Sequence, residues 1–343
     1  MTDTTPPVLT HVDQTTGIIQ LNRPKALNSL NPEMVHAIAQ ALEQWRDNPE
    51  ITQVLIESAT PKGFCAGGDV RYARERILAG EERHIDEFFD EEYAMNKALA
   101  AYPKPYVALI DGVVMGGGLG VSAHGSHRVV TENAFASMPE MVIGYITDVG
   151  MSWVLQHLPG SGQALGAFLG ITAWRLNPTE MLWTGLATHY VPSAELGQAR
   201  QAILDHGVER ALARWENHPE EENRLLDLLP AIEASFAHSS WGEVEAAARE
   251  YPELWSVVEE SLREANPASV VAAAALFAAN SAVGVNEGID NEARLAFVLR
   301  REANFAEGVR AILVDKDHAA TFAPSEFADV DEAAYARLLN PSA

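Results

Sequence analysis

Residues 111–120 read Asp111-Gly112-Val113-Val114-Met115-Gly116-Gly117-Gly118-Leu119-Gly120, directly after the apolar run from Tyr106 to Ile110. A short apolar run bounded by glycine reads as a buried strand. The stretch therefore predicts a strand that opens into a glycine loop, with a small-residue helix at Val121-Ser122-Ala123. Gly118, Gly120 and Ala123 formally match a dinucleotide fingerprint. That reading fails, because the next strand candidate, Arg128-Val129-Val130, comes too soon for a crossover helix. What remains is a set of backbone amides exposed at a helix start.

A second glycine loop lies upstream, at Lys62-Gly63-Phe64-Cys65-Ala66-Gly67-Gly68-Asp69-Val70, after the strand candidate Val54-Leu55-Ile56. Alone it reads as a tight strand-to-helix turn. Together, two such loops can place two N–H groups around one oxygen, which stabilises negative charge developing on a carbonyl.

Around these loops the first half of the chain reads as β/α. Val8 to Val12, a turn at Thr15-Thr16-Gly17 and Ile18 to Leu21 predict a hairpin. Asn31-Pro32-Glu33 predicts a helix start, with Asn31 as cap, and Met34, Ile38 and Leu42 share one face as far as Trp45. The polar stretch 70–97 has helical spacing. Beyond Met138, the runs 149–158, 163–169 and 179–183 read as helices and 186–191 as one more strand. From about Ala194, alanine, glutamate and leucine dominate, which predicts helix to the end. The expected division is a core over residues 1–193 and a helical region over 194–343.

Composition narrows the function classes. With 47% hydrophobic and 21% charged residues over 343 positions, the chain is a globular protein rather than a disordered one. No apolar run is long enough to span a membrane, and the N-terminal stretch lacks the pattern of a secretory signal. The single cysteine, Cys65, allows no internal disulfide, so the expected location is the reducing cytoplasm. A net charge of -24 speaks against nucleic acid and anionic membranes as partners. A phosphate-bearing ligand would need local cations, for which Arg23, Lys25, Lys62 and Lys104 are candidates.

Three stretches carry a resemblance: Phe64-Cys65-Ala66-Gly67-Gly68-Asp69, then Asp111-Gly112 with Met115-Gly116-Gly117-Gly118, then Met138-Pro139-Glu140. Together they resemble the crotonase (enoyl-CoA hydratase/isomerase) superfamily. The resemblance implies a ββα spiral core with a helical C-terminal region, and acyl-CoA thioesters bound in a two-amide oxyanion hole. By position in the motifs, its donors are Gly68 and Gly117. Four further stretches resemble the 3-hydroxyisobutyryl-CoA hydrolase branch. They are Phe88 to Tyr93, Lys104 to Ala108, Ile143-Gly144 with Asp148-Val149-Gly150, and Glu307 to Ala311 with Asp315-Lys316-Asp317. The branch pattern of Phe-Pro before the second acid is Ile146-Thr147 here, and its glycine run becomes Gly150-Met151-Ser152-Trp153. Both departures bear on the acyl group.

The resemblance implies Glu140 and Asp148 as catalytic acids, and Glu92, Gly117, Glu140 and Asp148 as substrate contacts. A hydratase of the superfamily uses a second glutamate three residues after Gly117, and Gly120 stands there instead. Two-carboxylate hydration therefore lacks a group. Thioester hydrolysis needs one carboxylate, as base or nucleophile, and the oxyanion hole. The expected substrate is a short β-hydroxyacyl-CoA, with CoA as part of the substrate and no resident cofactor or metal. An enoyl-CoA isomerase and a non-catalytic acyl-CoA-binding subunit are the competing readings, and the superfamily implies a homo-oligomer, commonly a trimer. Other readings of these residues are plainer. Glu140 could cap a turn, and Asp148 could cap the helix that follows it. Cys65 reads as a small buried residue. His124 and His127 have an i,i+3 spacing that could suit a metal but no supporting ligand pattern, so packing or hydrogen bonding is expected.

Overall fold

The computed structural model describes residues 5–61, 63–215 and 218–339. Packing divides the chain into two compact units, each assembled from three segments. The first contains residues 1–68, 94–136 and 176–223; the second contains 69–93, 137–175 and 224–343.

The first unit is built on a sheet. Its strands are β1 (Val8–Asp13), β2 (Thr16–Leu21), β3 (Gln53–Ser58), β4 (Tyr106–Ile110), β6 (His127–Val130) and β8 (His189–Tyr190), in the order β1-β2-β3-β4-β6-β8. Two short strands, β5 (Val113–Met115) and β7 (Phe135–Ser137), pair apart from it. Only β1 and β2 run antiparallel in the main sheet. β4 is buried along its whole length and β3 in all but its last residue, as parallel strands covered on both faces must be. One face packs Ile18, Leu55, Val107 and Val129 against Ile203, Leu204, Val208 and Leu212 of the helices Leu196–His206 and Val208–Leu212.

Helix α1 (Pro32–Arg46) starts where the sequence places it, with the Asn31 side chain accepting from the Met34 amide. The hairpin turn falls at Gln14-Thr15, not at Gly17. Gly17 sits inside β2, where a Cβ would lie 2.4 Å from the Trp45 ring. The glycine there makes room for Trp45 rather than for a bend. The strand expected over 186–191 is cut to two residues. The Arg128 guanidinium takes the carbonyls of Gly185 and Leu186 at 3.1 and 2.8 Å, leaving them no strand partner.

The second unit is helical apart from the end of β7. It contains α2 (Val70–Leu78) and the start of α3 (Glu82–Ala100). The helices Met151–His157, Gln163–Thr172 and Pro267–Asn280 form its centre. The last of these is buried nearly all round, capped by Asn266 and started by Pro267, as a core helix should be. A Cβ at Gly170 would lie 2.2 Å from the Phe277 ring, so glycine sets that close helix packing. The remaining helices, among them Val285–Leu299 and Ala303–Val309, continue the pattern expected after Ala194.

Candidate active site

The two glycine loops do meet, within the first unit. Cys65 and Val114 form a parallel bridge. The amides of Phe64 and Cys65 donate to the Val113 carbonyl at 3.0 Å, and the Met115 amide returns a bond to the Cys65 carbonyl at 3.0 Å. The loop's other flank is held by Leu30 donating to Gly67 and Ala66 donating to Leu27. Glycine is required where these backbones touch. A Cβ at Gly118 would lie 2.5 Å from the Cys65 oxygen, and Gly67, at φ 108°, has a backbone that a side chain would strain.

The small helix is not at 121–123 but is the glycine run itself, Gly117–Gly120. Among the described residues the amides of Gly68 and Gly117 have no acceptor. Gly117 is the first residue of a helix, whose leading amides lack an internal partner. Gly120 is buried, and the Asn96 side chain donates to its carbonyl at 3.0 Å. Gly118→Ala should force these backbones apart at a cost of about 1–3 kcal/mol. Its melting temperature should drop, whereas Gly197→Ala, in a helix with open space around it, should hold or raise it. Equal melting temperatures for the two variants would contradict the close approach.

Cys65 is buried, and its thiol donates to the Asn28 carbonyl at 3.1 Å, the role of a small packed residue. His127 bonds Ser126 at 2.8 Å, lies 3.3 Å from the Glu209 carboxylate and stacks on His189. Among the described residues no group of three metal-ligating side chains converges. Lys104 donates to the carbonyls of Trp45 and Asn48 at the end of α1, so it stabilises a helix C-terminus. Arg23 donates to the Ser29 carbonyl at 2.8 Å. Lys62 lies outside the described residues.

The acids gather in the second unit. Glu140 opens the short turn Glu140–Ile143 directly after Met138-Pro139, and Gly144, at φ 71°, closes it. The turn is braced from behind by the helix Ala303–Val309. A Cβ at Gly308 would lie 2.5 Å from the Ile143 backbone, and one at Gly144 would lie 2.6 Å from the Asn304 oxygen. This explains the stretch Glu307 to Asp317. Gly308 permits the backbone contact, and Arg310 ties Glu307, Asp315 and Asp317 together at 2.7–2.9 Å.

Glu92, Glu140 and Asp148 are 2%, 8% and 4% exposed. The Tyr93 hydroxyl donates to Asp148 Oδ2 at 2.7 Å and lies 3.0 Å from the Tyr145 hydroxyl. Glu92 Oε1 and Glu140 Oε2 have no hydrogen-bond partner among the described residues. Burial pushes all three acids up, and the Asp148 charge raises both Glu92 and Glu140 further. For Asp148 the Tyr93 bond and the Arg300 charge oppose the rise. Arg300 is itself buried, paired with Asp86 at 2.6 Å and set over the Phe89 ring.

Glu140 does not cap its turn, since Pro139 occupies that position. Asp148 does not cap the following helix with its side chain either; Gly150 is the cap residue there. Sequence reading missed Tyr145, Arg300 and the buried Glu292 altogether, and it left Tyr93 without a role. Only Tyr93 carried a signal, as the last residue of the run 88–93.

A stability prediction follows from Glu92, whose carboxyl is pushed by burial from 4.5 to about 8. A raised carboxyl means that the folded state holds a proton the unfolded state has released. Its contribution is fully present below the ordinary value and is lost as pH rises through about 8. The melting temperature should therefore fall over that range, and less steeply in Glu92→Gln. Parallel curves would show that Glu92 is not the group titrating.

The family model described as enoyl-CoA hydratase/isomerase matches residues 16–339. A Xenopus tropicalis protein named 3-hydroxyisobutyryl-CoA hydrolase, mitochondrial, is 35% identical over 327 residues, 92% of this chain and 84% of the relative. The Homo sapiens protein of the same name is 34% identical over 342 residues, 96% of this chain and 88% of the relative. A solved structure described as an enoyl-CoA hydratase from Rhodobacter sphaeroides 2.4.1 is 33% identical, with a TM-score of 0.88 and coverage of 97% of both chains.

Proposed function

The chain belongs to the enoyl-CoA hydratase/isomerase family, and from that premise we propose that it hydrolyses 3-hydroxyisobutyryl-CoA to 3-hydroxyisobutyrate and CoA, a step of valine breakdown. The observation that carries the proposal is a buried Glu140 whose Oε2 has no hydrogen-bond partner among the described residues; the sequence adds that position 120 is a glycine and not an acid. Gly120 offers no acid or base at the position where a hydratase of this family would carry its other glutamate. The curated relatives' shared name supports the same substrate.

The amides of Gly68 and Gly117 form the proposed oxyanion hole, holding the thioester oxygen as it becomes negative. Glu140 takes a proton from water, the water oxygen bonds to the carbonyl carbon, and collapse of the tetrahedral intermediate breaks the C–S bond. The departing thiolate recovers a proton from Glu140. Glu140 could equally attack the carbonyl carbon itself, with water then cleaving the anhydride; an 18O single-turnover experiment separates the two routes. Asp148 and Glu92 read the β-hydroxyl. Arg23, Lys25 and Lys62 stay the candidate cations for the CoA phosphates. The scheme needs no resident cofactor.

A lone buried Cys65 supports a reducing compartment. The cytoplasm is the proposed location, and the relatives' mitochondrial label makes fractionation the deciding test. A homotrimer, proposed on family likeness, is tested by light scattering.

The substrate is tested by assaying thiol release over a panel of acyl-CoAs, with double-bond migration followed in parallel. The proposal predicts release that is fastest for 3-hydroxyisobutyryl-CoA. Migration without release would indicate an isomerase, and binding without either an acyl-CoA-binding subunit.

A further inference from the structure

Glu292 lies 144 residues beyond Asp148 in sequence, on the helix Val285–Leu299, and is 0% exposed. Its carboxylate closes on the turn that follows Asp148. Oε2 accepts from the Gly150 amide at 2.6 Å, and Oε1 accepts from the Ser152 amide at 3.0 Å and the Ser152 hydroxyl at 2.5 Å. The turn itself is strained. Val149 has φ 52° and Gly150 φ 84°. Left-handed backbone is unfavourable for a β-branched residue and persists only where the surroundings over-determine it.

Gly150 has no side chain with which to cap the helix Met151–His157. Asp148, the nearest acid in sequence, is turned instead to Tyr93. Glu292 supplies the missing acceptor from a distant helix, where a carboxylate suits the helix N-terminus. It is held in turn: Asn280 donates to the Ser152 hydroxyl at 2.7 Å, and Asn291 donates to Asn280 at 2.8 Å.

We propose that Glu292 is a positioning residue for Asp148: by bonding Gly150 and Ser152 it fixes the left-handed turn that frees the Asp148 carboxylate for the substrate. The inference rests on the reading of Asp148 as part of a thioesterase site. Burial and the Asp148 charge both raise the Glu292 carboxyl, so the two acids also feel each other directly, and a double-mutant cycle reads their coupling as a whole.

The test is a double-mutant cycle on thiol release from 3-hydroxyisobutyryl-CoA. Glu292→Gln keeps the volume but turns an amide NH2 group toward one of the amides that Glu292 now accepts from. kcat should fall by about tenfold to a hundredfold, the scale of a small misplacement of a reacting group, with KM within about threefold of wild type. The double variant with Asp148→Asn should be no slower than Asp148→Asn alone, because both changes disable the same group. Val149→Gly should restore part of the lost rate in the Glu292→Gln background, since glycine takes a positive φ without strain. If Glu292→Gln does not fold, Ser152→Ala, which removes one of the three bonds, enters the same cycle. An unchanged kcat, or losses that multiply with those of Asp148→Asn, would overturn the inference while leaving the hydrolase reading intact. An unaffected Asp148→Asn would do the same. A wild type that releases no thiol would overturn both.

Discussion

Glu140→Gln is expected to lower kcat for thiol release by at least about a hundredfold, the scale of a lost general base, with little change in substrate binding. Gln preserves the shape of the side chain and removes its basicity. The substitution leaves the glycine-loop amides untouched, so KM should hold while kcat collapses, the signature of an interaction made only in the transition state. Burial raises the Glu140 carboxyl, and the charges of Asp148 and Glu92 add to that rise. A base must be ionised to act, so the wild-type rate should climb with pH through this raised value. The variant should lose that limb of the profile. The same substitution removes a group whose ionisation the fold opposes, so Glu140→Gln should melt higher than wild type at neutral and alkaline pH. Near-normal hydrolysis by Glu140→Gln would assign the base elsewhere.

Asp148→Asn should discriminate between substrates. Asn can still accept the Tyr93 hydrogen bond now made to Oδ2, so the local frame survives. It is a poorer acceptor for a second hydroxyl. Hydrolysis of 3-hydroxyisobutyryl-CoA should slow at least about tenfold more than that of isobutyryl-CoA, because only the first places a hydroxyl against the lost charge. Equal losses on both substrates would make Asp148 a partner of Glu140 instead of a reader of the hydroxyl.

What the sequence discloses is governed by how local its cause is. Asn31-Pro32 announces α1 because cap and first turn are neighbours in the chain. The two glycine loops are legible for a similar reason, since each follows an apolar strand. Their meeting through Cys65 and Gly118 is a tertiary fact. Gly17 misleads because its reason, the Trp45 ring, is far away in sequence. The acids divide in the same way. Glu140 and Asp148 sit in recognisable motifs. Glu292, however, lies in a helix where an acid ordinarily faces water, and its partners are more than a hundred residues off. Within the stretch that replaces the glycine run after Asp148, Ser152 becomes intelligible with that partner in view, since it answers Glu292 with two hydrogen bonds.

The central claim is that this chain cuts a thioester rather than adding water to, or moving, a double bond. The direct measurement incubates the purified protein with 3-hydroxyisobutyryl-CoA and quantifies free CoA, 3-hydroxyisobutyrate and the α,β-unsaturated CoA ester in the same samples. The account predicts free CoA and 3-hydroxyisobutyrate in equal amounts, with no unsaturated ester. Formation of the unsaturated ester without free CoA would contradict it.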